Sequence, residues 1–314
     1  MPSRDATTTL TPSTIALLTI PPLLWAGNAV VGRVAAGWIP PVTFNLLRWV
    51  LAFALLLPLA SWVLRPDSPM WRDWRRFSVL GLFAVAGYNM LQYLALHTST
   101  PLNVTLVASS MPVWMMLVGR LFFAAPIRRR QLAGAALSLM GVLIVLSQGR
   151  WTNLLALRLV PGDAWMLAAA FTWACYSWLL TRRHESPDIR QDWAAFLLAQ
   201  TAFGLISAAA LAGGEWIWII AAAPADMPSR IHWSWALAAA LLFVAVGPSV
   251  IAYRCWGAGV QRAGPTVAGF FTNLTPLFAA VMSSLLLGET PQTYHAVAFG
   301  LIVAGIAVSS RSRR

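Results

Sequence analysis

Pro101 to Val145 reads PLNVTLVASSMPVWMMLVGRLFFAAPIRRRQLAGAALSLMGVLIV, and Pro265 to Ser309 reads PTVAGFFTNLTPLFAAVMSSLLLGETPQTYHAVAFGLIVAGIAVS. At a constant offset of 164, without a gap, Pro101 falls on Pro265, Pro112 on Pro276 and Gly141 on Gly305. Each copy is two apolar spans joined by a short polar break. Few letters are identical, so the pattern of breaks and prolines carries the match. A duplicated pair of spans is the first fact that a reading of this chain must explain.

Composition points the same way. The 314 residues are 59% hydrophobic and only 10% charged, against about a quarter charged in soluble domains. The basic residues are all arginine, and they lie in the breaks between apolar spans. The net charge of +12 therefore reads as membrane topology and not as a nucleic-acid surface. Cys175 and Cys255 both sit inside apolar spans, where free thiols are expected.

A span must supply about 20 apolar residues. Ten are predicted: 14–36, 41–63, 77–97, 102–123, 131–148, 163–181, 193–212, 235–255, 265–287 and 291–309. The fold class is thus an all-α integral membrane protein. Arg4 ahead of the run Ile15 to Ala26 resembles a leader. The run continues to Ala36, however, and Trp25-Ala26 recurs as Trp173-Ala174, so it reads as the first helix of a repeat. With the N-terminus inside, 17 of the 22 arginines are cytoplasmic, which puts both termini there.

Five spans per half is odd, so the second half enters the membrane inverted. The domains expected are a cytoplasmic segment 1–13, a repeat 14–148, an outer connector 149–162, an inverted repeat 163–309 and a basic tail 310–314. Inverted repeats are a transporter plan, with substrate held where the halves meet. The front of each half matches at an offset of 148, so the second half carries 16 further residues, expected in an outer interfacial segment from Gly213 to Trp233.

Mid-span polar and aromatic residues are the candidate substrate site, because such groups usually face a bundle interior or cavity. They are Trp25, Asn28, Tyr88, Asn89, Gln92, Trp173, Tyr176, Tyr253 and Asn273. Trp25 maps to Trp173, Asn28 to Tyr176, Asn89 to Tyr253 and Ser109 to Asn273. Packing aromatics and interhelical hydrogen bonds are the alternatives. Trp49 and Trp114 also fall mid-span. Arg48 lies about 10 Å inside the outer surface. It could bind a carboxylate or phosphate, reach outward, or cap carbonyls of a neighbouring helix. Pro112 and Pro276 are expected in mid-helix, each removing a hydrogen bond and freeing a carbonyl one turn earlier, as hinges or static kinks.

No acidic residue is mid-span; Asp163 and Glu289 are at span ends, and His97 and His295 are weak candidates for proton coupling. Thr290-Pro291 reads as a helix start. No nucleotide loop, metal spacing or nucleophile–base set is present, so no enzyme activity, cofactor or metal is expected.

Laid out so, the chain resembles the EamA-type drug/metabolite transporters over nearly its full length. The matching stretches are Phe44-Asn45-Leu46-Leu47-Arg48-Trp49, Tyr93-Leu94-Ala95-Leu96, Trp173-Ala174-Cys175-Tyr176, Leu274-Thr275-Pro276, Leu286-Leu287-Gly288-Glu289 and Ala304-Gly305. The first copy departs from the tail motif, with Ala124-Ala125 opposite Gly288-Glu289. The resemblance implies a ten-helix inverted-repeat carrier of the cytoplasmic (inner) membrane, commonly an exporter of amino acids or related metabolites. The partners expected are a small-molecule substrate and the lipid bilayer, and no nucleic acid. The small residues Ala296, Gly300 and Ala304 allow either a homodimer face or intramolecular packing. A multidrug exporter and a membrane-embedded enzyme or scaffold are the alternative functions.

Overall fold

A computed structural model of the chain describes residues 10–99, 101–150, 152–155, 158, 160–182, 184–222, 230–287 and 292–310. Ten long helices follow one another. They are α1 (Pro12–Ala35), α2 (Pro41–Ala60), α3 (Trp74–Thr98), α4 (Pro101–Ala108 and Met111–Phe123), α5 (Arg129–Leu146), α6 (Pro161–Leu179), α7 (Trp193–Ala222), α8 (Trp235–Ala263), α9 (Pro265–Phe271 and Thr275–Leu287) and α10 (Thr293–Ser310). Among the described residues, nine helices are long and apolar enough to cross a membrane. The remaining helix, α6, buries Met166, Ala170, Trp173 and Ser177 inside the bundle. Asp163, Trp173, Tyr176 and Ser177 face protein, so it needs less hydropathy, while Trp165 is exposed. Large apolar side chains such as Val34, Leu121, Ile206, Ile220 and Phe299 point outward, as lipid contact requires.

Helix packing obeys a twofold relation. If α1 exchanges with α6, α2 with α7, α3 with α8, α4 with α9 and α5 with α10, the pairing α1–α8 becomes α6–α3, and both are extensive. The pairings α2–α7 and α5–α10 map onto themselves. The α5–α10 seam shows the relation atom by atom. A Cβ on Gly305 would sit 2.7 Å from the Gly134 carbonyl, and one on Gly141 would sit 2.8 Å from the Ala298 carbonyl. Gly134 and Ala298 are repeat mates, as are Gly141 and Gly305, so these are one contact made twice, as twofold interfaces demand. Small residues let the two backbones touch.

Several expectations are corrected. Gly213 to Ala222 is not a separate interfacial segment but a continuation of α7 by nearly three turns, where Glu215 is bonded to α2. Helix α8 continues beyond 255 to Ala263, and Gly264, with φ of +80°, alone joins it to α9. Past 255 the helix still buries Trp256, Gly259, Val260 and Ala263, while Arg254 covers the Trp193 ring at 4.4 Å. On α10 the face packed against α5 is Ala298, Ile302, Gly305 and Ser309, while Ala296 and Gly300 are exposed and Ala304 is half-buried. Intramolecular packing therefore does not account for Ala296 and Gly300. Glu289, Thr290-Pro291 and the tail arginines lie outside the described residues.

The prolines do not bend continuous helices. Helix α4 stops at Ala108 and restarts at Met111, so Pro112 stands in the first turn of the second half-helix. Helix α9 breaks through a tight turn at Thr272–Leu274, and Pro276 is the second residue of its second half-helix. First-turn N–H groups have no intrahelical acceptor, so neither proline removes a bond there. The mid-helix irregularities are instead two π-helical turns, Leu82–Gly87 in α3 and Ala245–Ile251 in α8. They correspond at the 164 offset. Such turns release carbonyls from the helical ladder, often at functional sites.

Candidate functional site

Repeat mates on the pseudo-twofold axis must meet one another, and here they do. The Trp25 and Trp173 rings are 5.1 Å apart, edge to face. The Asn89 amide donates to the Tyr253 hydroxyl at 3.0 Å, and that hydroxyl donates on to the Ala84 carbonyl in the α3 π turn at 2.8 Å. Around this axis Trp173 stacks against Tyr88, Tyr176, Tyr253 and Trp256 with centroids 5.0 to 5.4 Å apart. Trp49 packs edge-on to Tyr253 at 5.0 Å. These are contact distances for aromatic rings, so the cluster is closed, and a substrate would have to part the rings.

Beside the cluster lies Arg48, with none of its surface exposed. Two of its expected alternatives fail: it does not reach outward, and it caps no carbonyl. Its Nε and Nη2 donate to Ser249 Oγ at 2.9 and 2.7 Å. Its Nη1 reaches Asn89 Oδ1 at 3.0 Å, Tyr93 Oη at 2.9 Å and Asn28 Oδ1 at 3.2 Å. Helices α1, α3 and α8 thus converge on one guanidinium carried by α2. Ser249 in turn donates to the Val244 carbonyl across the α8 π turn at 2.7 Å. Every acceptor is neutral. Among the described residues the ion pairs are Arg72–Asp73 and Arg76–Glu185, both away from Arg48 in sequence and partner.

Four buried polar atoms around the same core have no hydrogen-bond partner: the indole Nε1 of Trp49 and of Trp173, Asn45 Oδ1 and Gln200 Oε1. Asn45 spends its amide on the Val85 carbonyl at 2.9 Å, and Gln200 on the Tyr176 hydroxyl at 3.3 Å. Buried orphans are uncommon and call for an explanation. Asn45 is bonded to the α3 π turn, and Trp49, Trp173 and Gln200 touch Tyr253 or Tyr176.

A lock closes the end of α2 that the arginine pattern predicts to face outward. Helix α2 starts at Pro41 behind Pro40, which offers no capping side chain. Glu215 of α7 supplies the cap: its carboxylate accepts from Val42 N and Thr43 N, each at 2.8 Å, and from Thr43 Oγ1 at 2.7 Å. At the opposite end, Asp192 caps α7 through Ala194 N and Ala195 N, at 3.0 and 3.1 Å, and accepts from Trp62 Nε1 at 3.0 Å. The mated helices α2 and α7 are pinned at both ends.

Of the predicted site residues, Asn28, Arg48, Asn89 and Tyr253 form one hydrogen-bonded network. Gln92 joins weakly, accepting from Asn28 at 3.4 Å. Trp25, Tyr88, Trp173 and Tyr176 form the ring cluster. Asn273 is not brought in; its amide donates to Ser138 of α5 at 2.8 Å. Trp114 packs on Phe171 at 5.7 Å instead. His295 accepts from Gln292 N at 3.0 Å at the start of α10, and His97 lines a partly open pocket with Gly32, Phe44 and Tyr93. Sequence reasoning missed Asn45, Ser249 and Trp256. Trp256 is the mate of Gln92 at the 164 offset, so that signal was present in the sequence. For Ser249, whose mate is Val85, no such signal exists.

Paired breaks, paired π turns and a core shared across a twofold axis define an inverted-repeat membrane transporter. The sequence profile of the EamA-like transporter family matches residues 12–147 and again 160–311, and the chain belongs to this family. It is a multi-pass membrane protein that transports and is not an enzyme. An uncharacterized transporter of Archaeoglobus fulgidus is 26% identical, over 94% of this chain and 96% of its own. A probable amino-acid metabolite efflux pump of Salmonella typhimurium is also 26% identical, over 94% and 93%. The aromatic amino acid exporter YddG of Ancylobacter novellus is 24% identical, over 92% and 93%. A crystal structure with 22% identity superposes with a TM-score of 0.67 over 95% of this chain and 96% of that one, which supports the fold.

Proposed function

We propose that this protein exports small organic metabolites of amino-acid type across the cytoplasmic membrane by alternating access, with both termini in the cytoplasm. The observation that carries the reading is the meeting of repeat mates, Trp25 with Trp173 and Asn89 with Tyr253, at one aromatic and polar core. A site on the axis can be offered to either side of the membrane by rocking one repeat against the other. The named activities of the Salmonella and Ancylobacter relatives support the same solute class. A buried guanidinium beside the rings disfavours cationic drugs.

The test is flux from loaded proteoliposomes against amino-acid and nucleoside panels, with and without a proton gradient. Amino-acid efflux well above protein-free vesicles is expected. Transport of nucleosides alone, or of no panel member at confirmed orientation, overturns the reading.

A further inference from the structure

A charged side chain deep in a membrane protein costs several kcal/mol unless it is matched. Arg48 is hydrogen-bonded but not neutralised: its acceptors are two amides, a phenol and a serine, and no described carboxylate pairs with it. Its guanidinium lies 5.6 Å from the Trp49 ring, and Trp49 and Trp173 both pack against Tyr253; the buried indole N–H groups of these two tryptophans donate to nothing. A permanent cation with spare donors around it matches an anion. A carboxylate is the form that suits a guanidinium fork. Among the described residues, the orphaned acceptors of this core are Asn45 Oδ1 and Gln200 Oε1. Both are neutral amide oxygens, which hold an ammonium far less firmly than a carboxylate would. The surrounding rings offer contact to an apolar body.

Resting on the exporter reading, we propose that Arg48 is the carboxylate anchor of the transport site, so that the protein selects its substrates for a carboxylate beside an aromatic or apolar body and does not require their amine. Amino acids then belong to a wider class that includes the corresponding hydroxy and unsubstituted acids. A decarboxylated amine or an amide leaves the guanidinium unpaired and is rejected, as sites built around a buried polar group reject analogues lacking its partner.

The experiment uses the intact wild-type chain. Phenylalanine, phenyllactate, phenylpropionate, phenethylamine and phenylalaninamide are compared as competitors of tracer amino-acid flux in proteoliposomes. The same compounds are then tested as ligands that raise the melting temperature of the purified protein. The three acids are expected to compete within about tenfold of one another, and the amine and amide about 100-fold more weakly or worse. Arg48→Gln should abolish the acid-dependent melting shift, and Arg48→Lys should restore part of it. An amine or amide that competes as well as the acids overturns this inference and leaves the exporter reading standing. So does an unchanged melting shift in Arg48→Gln. Absence of both flux and melting shift for every compound overturns the two together. If Arg48→Gln does not fold, the wild-type competitor series still decides.

Discussion

Asn89 and Tyr253 are 164 residues apart, occupy equivalent places in the two repeats, and are hydrogen-bonded to each other at 3.0 Å. Since the phenol also closes on the Ala84 carbonyl, one hydroxyl ties the axis to the α3 π turn. Tyr253→Phe keeps the ring and leaves a buried amide N–H and a carbonyl short of a partner. It is expected to lower stability by about 1–3 kcal/mol, read as a lower melting temperature in detergent, and to reduce flux more than that loss of folded protein explains.

Trp173 separates packing from hydrogen bonding. Its ring is in contact with five neighbours, but its Nε1 has no acceptor. Trp173→Ala should cost about 3–5 kcal/mol. Trp173→Phe removes a donor that bonds to nothing, so it should melt much nearer the wild type while transporting more slowly. Melting curves and initial efflux rates of the two variants check this.

On the α5–α10 seam, Gly305→Ala places a methyl 2.7 Å from the Gly134 carbonyl and 3.0 Å from Ser138 atoms. The helices must separate, at about 1–3 kcal/mol. Gly300 lies on the same helix with nothing within 4 Å of a Cβ. Gly300→Ala should therefore be neutral, or stabilising by up to about 1 kcal/mol through helix propensity. Equal effects of the two on thermal stability would contradict the seam.

Glu215→Gln leaves one amide oxygen where two carboxylate oxygens accepted three bonds. Charge-assisted bonds of this kind contribute about 1.5–3 kcal/mol. Hydrogen exchange in the peptide covering Val42 and Thr43 should accelerate roughly tenfold or more, since 1.4 kcal/mol is a factor of ten. The opposite end of the same helix pair, held by Asp192, should keep its protection.

Much of this protein is determined by sequence alone. Apolar span length, arginine placement and the two offsets specify ten helices in two inverted halves, because hydrocarbon requires self-satisfied helices and a repeated pattern folds in a repeated way. The mate relation even selects most of the core, since residues equivalent under a twofold meet where the axis passes. Tertiary structure decided what no local pattern encodes. Whether Arg48 reached outward or inward depended on Asn28, Asn89, Tyr93 and Ser249 arriving from three other helices. Pro112 and Pro276 marked breaks, but the π turns that release carbonyls have no proline signature in α3. Glu215, in a stretch read as interfacial, became the cap of a helix 172 residues away. Hydrogen-bond partners and buried charges are settled by packing between distant segments, which a linear pattern of apolar residues does not record.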